Sequence, residues 1–186
     1  MTSMTVDNTL VLVIDVQEKL VPAMHDSDTY LTKLQFLLEG LNHLGVKKVV
    51  TEQYPQGLGA THPAIKCSLS EAPVYTKTRF NACIPEVVNH ITPVIEHVVI
   101  VGMETPICIE QTAHQLLDDY PQIQVTLVRD AVTARSAKEH EWALSQLQAD
   151  GARLLSSESL LYYLLEDAKN PHFKAISNLV KERQAQ

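Results

Sequence analysis

Three residues of the chain carry the side chains that a nucleophilic hydrolysis requires: Asp15, Lys77 and Cys108. Each stands just past a run that reads as a β-strand: TLVLVI before Asp15, PVYT before Lys77, and VVIVG shortly before Cys108. In open α/β sheets, ligands bind outside the carboxyl ends of the strands. A thiol attacks as thiolate and needs a base or a cation beside it. Asp15 can take the thiol proton and later activate water. Lys77 can hold Asp15 ionised and lower the thiol pKa. A carboxylate behind five apolar residues is costly unless it has a partner or a task. Cys108 is expected on the first turn of a helix, at the positive end of its dipole, where free backbone N–H groups can also face an oxyanion.

The elements that must position these residues follow from periodicity. Thr9–Val16 reads as a buried parallel strand with Asp15 at its end. Asp28 is placed to cap a helix running to about His43, with an apolar stripe from Leu31 to Leu44, and Gly45 to end it. Strands are predicted at 46–51, 73–76, 97–102, 124–128 and 151–155. Helices are predicted at 84–95, 106–119, 136–149, 157–166 and 171–182. Arg129-Asp130-Ala131 is expected at the carboxyl end of the fifth strand, and Ser136 with Glu139 has capping-box spacing. The alternation predicts a three-layer α/β/α, doubly wound sheet of six mainly parallel strands, in the order 3-2-1-4-5-6, within one domain covering residues 1–186. That order makes strands one and four neighbours at the switch point, where Asp15 and Cys108 would meet.

The pocket walls are expected from Gln17 on the exit of strand one, Tyr54 in the Gly/Pro-rich 52–66 loop, Phe80, and Thr105 beside Cys108. Arg79 suits either an anionic substrate group or a surface ion pair. The loop contains one His, His62, and no Asp, so it shows no set of metal ligands, and His62 reads as a loop or cap residue. Cys83 has no base assigned and reads as structural.

The chain of 186 residues is 45% hydrophobic and 20% charged, with a formal net charge of −7. Those are globular proportions, and the charge argues against a nucleic-acid surface. Neither G-x-G-x-x-G nor a P-loop is present, so no nucleotide cofactor is expected. Three Cys make no disulfide framework and point to a reducing, cytoplasmic setting. The N-terminus does not read as a secretory signal, and no apolar run reaches membrane-spanning length. The bulky residues around the circumference of Leu160–Leu165 read as an interface in a homo-oligomer, a dimer or higher, with a fully buried helix as the plainer alternative.

The segments LVLVIDVQEKL (10–20), YTKTRF (75–80), VVIVGMETPICIEQTA (98–113) and VTLVRDAVTARS (125–136) resemble the isochorismatase-like (cysteine hydrolase) superfamily. The resemblance runs from about Thr9 to the end and is closest to the isochorismatase domain-containing subgroup. It implies an Asp-Lys-Cys triad at Asp15, Lys77 and Cys108. It also implies a non-proline cis peptide at Met103–Glu104 that turns an amide toward the oxyanion. Nicotinamidases of the superfamily carry Asp and His metal ligands after strand two, and TEQYPQGLGATHP lacks that set, so no metal is expected. Siderophore-pathway isochorismatases lack the nucleophilic Cys. The subgroup includes proteins labelled as ribonucleases, a label that does not fit the acidic charge. The combined reading is a metal-independent cysteine hydrolase of a small amide- or carbamoyl-type substrate, without cofactor, nucleic-acid or membrane partner. The alternative is a catalytically silent binding member of the same fold.

Overall fold

A computed structural model describes residues 2–184. Its strands are β1 (Thr9–Ile14), β2 (Lys47–Gln53), β3 (Val74–Lys77), β4 (His97–Met103), β5 (Gln124–Thr133) and β6 (Arg153–Leu155). All pair in parallel, in the order β3-β2-β1-β4-β5-β6, as the alternation of elements requires. Every residue of β1 and of β4 is buried. Period-two alternation then sends neighbouring side chains to opposite cores. Val11, Val13, Val99 and Val101 pack with α1 (Ser27–Leu44), and Leu10, Leu12, Val98 and Ile100 pack on the other face.

Three single turns of helix follow α1: α2 (Pro55–Leu58), α3 (Pro63–Lys66) and α4 (Pro85–Val88). The longer helices are α5 (Glu110–Asp119), α6 (Ala137–Ala149), α7 (Ser157–Leu165) and α8 (Phe173–Gln184). Leu116 and Leu147 carry α5 and α6 into the core opposite α1, while Leu161 and Ile176 carry α7 and α8 into the α1 core.

Several boundaries differ from the sequence expectation. The 84–95 helix is only one turn, because Thr92 before Pro93 disfavours helical backbone and the chain turns at Asn89–Ile91. The residue before α1 is Asp26, with φ 49° and no side-chain cap bond, so Asp28 lies inside the helix. Gly45 ends it at φ 74°. β5 runs on to Thr133, so Arg129-Asp130-Ala131 lies within the strand rather than at its end. Pairing steps from Ile100–Leu127 to Gly102–Val132, so these residues bulge before the strand resumes against β4. Leu160, Leu161, Leu164 and Leu165 of α7 are buried within the chain, and only Tyr162 and Tyr163 of that run are exposed. Among the described residues, no helix is long and apolar enough to cross a membrane.

Candidate active site

β1 ends at Ile14, and the next residue, Asp15, adopts φ 54°. Left-handed backbone is uncommon outside glycine, although Asp tolerates it better than most residues. This turn at the strand end accompanies a side chain that is fully buried. Thr51 of β2 donates to Asp15 Oδ1 at 2.8 Å, and Lys77 Nζ donates to Oδ2 at 2.6 Å. Both side chains of the Lys77–Asp15 pair are sealed from solvent. The ammonium also meets Gln53 Oε1 at 2.7 Å, the Arg79 carbonyl at 3.2 Å and Cys108 Sγ at 3.6 Å. Asp15, Lys77 and Cys108, far apart in sequence, thus converge at the switch point between β1 and β4.

Gln53 and Thr51 are the polar partners that the sequence reading missed. The predicted strand order held the signal. In the order 3-2-1, the end of β2 must lie between Asp15 and Lys77, and Gln53 pairs directly with Lys77 in the sheet register. Gln53 is itself fixed by Gln17. The Gln17 amide accepts from Gln53 N–H at 2.7 Å and donates to the Gln53 carbonyl at 3.0 Å and the Gly59 carbonyl at 2.7 Å. Gln17 therefore does not line the cavity as a substrate contact. Its polar atoms are engaged, and it continues the sheet beyond β1.

Cys108 sits in a π-helical turn, Thr105–Ile109, and the regular helix starts two residues later at Glu110. The Met103–Glu104 peptide bond is cis. The Ile107 and Ile109 N–H groups both fold back onto the Glu104 carbonyl, so those two amides are not available to an anion. Burial first, and then the Asp15 charge, push the Cys108 thiol up to about 12 against a smaller opposing effect of Lys77. This corrects the expectation of a thiolate favoured by a helix dipole. In the buried turn desolvation outweighs the cation, and the resting group is a thiol beside a carboxylate.

Asp15, Gln53 and Cys108 open onto a cavity of about 90 Å³, which Lys77 does not line. Leu20, Leu58, Phe80 and Ile107 give it apolar walls, and Met103, Glu104 and Cys108 form one side. Leu58 is brought there by the 52–66 loop, which Lys19 N–H and Nζ tie down through the Leu58 and Gly57 carbonyls. Glu104 is neutralised by Arg135, whose Nε lies 2.9 Å from its carboxylate. Of the other expected contacts, Phe80 lines the cavity. Thr105 does not, because its hydroxyl is buried against the Thr133 carbonyl at 3.0 Å and His140 Nδ1 at 2.8 Å. Tyr54 is more than half exposed and lines a neighbouring groove instead. Arg79 also lines that groove and makes no ion pair among the described residues. His62 accepts from Ala64 N–H as the cap of α3. Among the described residues no cluster of three or more His, Cys, Asp or Glu has metal-binding proximity.

Residues 9–159 match the isochorismatase domain. The chain belongs to the isochorismatase family. The family domain takes in β1 through the first turn of α7, and with them Asp15, Lys77 and Cys108. Isochorismatase domain-containing protein 2 of Bos taurus is 44% identical over 141 residues, covering 75% of this chain and 67% of its own length. Isochorismatase domain-containing protein 1 of Danio rerio is 37% identical over 169 residues, which is 90% of this chain but 59% of the zebrafish protein. The chain thus spans less than two thirds of that relative. Among solved structures, the MAR1 ribonuclease of Caenorhabditis elegans superposes with a TM-score of 0.91 at 31% identity, over 97% of this chain and 93% of that one.

Proposed function

We propose that this isochorismatase-family chain is a metal-independent cysteine hydrolase of a small, uncharged amide- or carbamoyl-type substrate. Cys108 is the nucleophile, Asp15 the general base, and Lys77 the cation that orients both. The observation that carries the reading is the position of the Lys77 ammonium, 2.6 Å from Asp15 Oδ2 and 3.6 Å from Cys108 Sγ.

The chemistry closes with the groups present. Sγ attacks the substrate carbonyl carbon while the thiol proton passes to Asp15. A thiol held near 12 is protonated at neutral pH, so attack depends on this transfer. The oxyanion lies against the backbone from Met103 to Cys108 along the cavity wall. The C–N bond then breaks, and Asp15 returns the proton to the departing nitrogen. Water adds to the thioester, giving its proton to Asp15. Collapse releases the acid, and the proton returns to Sγ. The size of the cavity, against ~300–1,000 Å³ for sites of drug-sized ligands, supports a substrate of few atoms. Pairing of Asp15 with Lys77 and of Glu104 with Arg135 supports a neutral one.

The ribonuclease named for the nematode relative is a property of that protein. A formal net charge of −7 gives no support for carrying it over to this chain. The test is a panel of small amides and carbamoyl compounds turned over by the wild type and by Cys108→Ala. Turnover lost in Cys108→Ala supports the proposal, and turnover that survives overturns it. Alkylation of Cys108 with no hydrolysis across the panel selects the silent, ligand-binding member of the fold instead.

A further inference from the structure

A second cavity, of about 250 Å³, opens at the same carboxyl end of the sheet. It lies between the start of α1, the end of β5 and the first turns of α6, and it shares no lining residue with the Cys108 cavity. Ligands of α/β sheets bind at this end.

Tyr30 lines it with only 5% of its surface exposed, and among the described residues its hydroxyl has no hydrogen-bond partner. Such an orphaned group costs ~1–3 kcal/mol unless something arrives to pair with it. Burial pushes the phenol pKa up, so the hydroxyl remains an O–H donor. Lys33 and Arg129 reach the same cavity, and neither makes an ion pair among the described residues. The acids there are differently placed. Asp130 is held by Ser157 N–H and Oγ, and Asp26 accepts from the Thr29 hydroxyl, which leaves Glu141 as the one acid of this cavity without a hydrogen-bond partner among the described residues. The lining therefore carries two cations without an ion pair, three carboxylates of which two are hydrogen-bonded by neutral groups, and one buried donor.

The cavity is also connected to the π turn. His140 lines it, and its Nδ1 lies 2.8 Å from Thr105 Oγ1. Thr105 begins the turn that carries Cys108.

We propose that this cavity binds a small anion through Arg129, Lys33 and the Tyr30 hydroxyl, and that its occupancy alters Cys108 through His140 and Thr105. The chemistry recognised is a carboxylate or phosphate group. The site does not depend on the hydrolytic reading, because binding is measured without turnover.

The experiment is calorimetric titration of the full chain with inorganic phosphate and, separately, with succinate. Saturable binding of either is expected and names the source of the anion. Tyr30→Phe removes only the unpaired oxygen. Its unfolding midpoint should match or exceed that of the wild type, while binding weakens about tenfold or more. Arg129→Gln should weaken binding similarly. Prior alkylation of Cys108 should leave the anion bound, which separates the two cavities. The bound anion should change the Cys108 alkylation rate in the wild type and not in Arg129→Gln. The proposal is overturned if neither anion binds, if Tyr30→Phe and Arg129→Gln bind like the wild type, or if alkylated protein no longer binds. An unchanged alkylation rate with anion bound would remove the coupling.

Discussion

At the scale of single residues, the site is a buried ion pair with a thiol against it. Removing one member of such a pair leaves an uncompensated charge, at a cost of ~3–5 kcal/mol. Lys77→Met is therefore expected to lower the free energy of urea unfolding by that amount. The double variant Asp15→Leu/Lys77→Met is expected to lose clearly less than the sum of its parts, and additive losses would argue against the pairing. The thiol makes a signed prediction about pH. Its ordinary pKa near 9.0 rises to about 12 on folding, so above 9 the unfolded chain releases a proton that the folded chain keeps. Stability from this group is complete below about pH 9 and is lost as pH climbs toward 12. Cys108→Ala should flatten that part of the stability–pH curve, as chemical unfolding at a series of pH values can show. Asp15, Lys77 and Cys108 were legible in the sequence because each is a reactive type just beyond an apolar run. The state of the thiol was not, because desolvation depends on how deeply the turn is packed. Gln17 and Thr105 were misplaced for a related reason: a polar residue beside a site looks the same whether it faces the ligand or holds the backbone.

At the scale of elements, the approach of β1 to β4 fixes the site. Gly102 pairs with Ile14, adopts φ 122°, and a Cβ there would stand 2.0 Å from the Ile14 carbonyl oxygen. No side chain fits without separating the two strands that hold Asp15 and the Cys108 turn. Gly102→Ala is expected to cost about 3 kcal/mol or more, read as loss of soluble folded protein or as a lowered urea midpoint. A near-wild-type midpoint would contradict this account of the switch point. The cap of α6 is a milder case. Ser136 accepts from Glu139 N–H, and Ser136→Ala should lower stability by ~1 kcal/mol in the same assay. Strands rich in β-branched residues and the Ser136 cap of α6 were legible from local pattern, whereas the expected Asp28 cap of α1 was not found. The bulge in β5 was not, since Arg129 and Asp130 look like a strand end while the chain resumes pairing at Val132. The 84–95 segment had helical apolar spacing, but Pro93 and the turns before it overrode that pattern.

At the scale of the whole molecule, strand order converts local signals into a site. The doubly wound order was readable from alternation, and it alone places the end of β2 between those of β1 and β3. The leucines of α7 read as an interface in preference to core, and they pack inside instead: Leu161 lies so close to Gly40 of α1 that an added Cβ would meet its side chain at 2.6 Å. The acidic net charge leads to one more expectation: the chain should neither shift nor cleave single-stranded RNA at physiological salt in a gel assay. Salt-sensitive RNA binding would contradict it.

The most direct test of the central claim is intact-protein mass spectrometry of the chain quenched during turnover of a small activated ester or amide. The account predicts one acyl group, mapped to Cys108 and released by hydroxylamine, with its formation slowed ~100-fold or more in Asp15→Asn. An acyl group on Cys67 or Cys83 instead, or formation at the wild-type rate in Asp15→Asn, would contradict it.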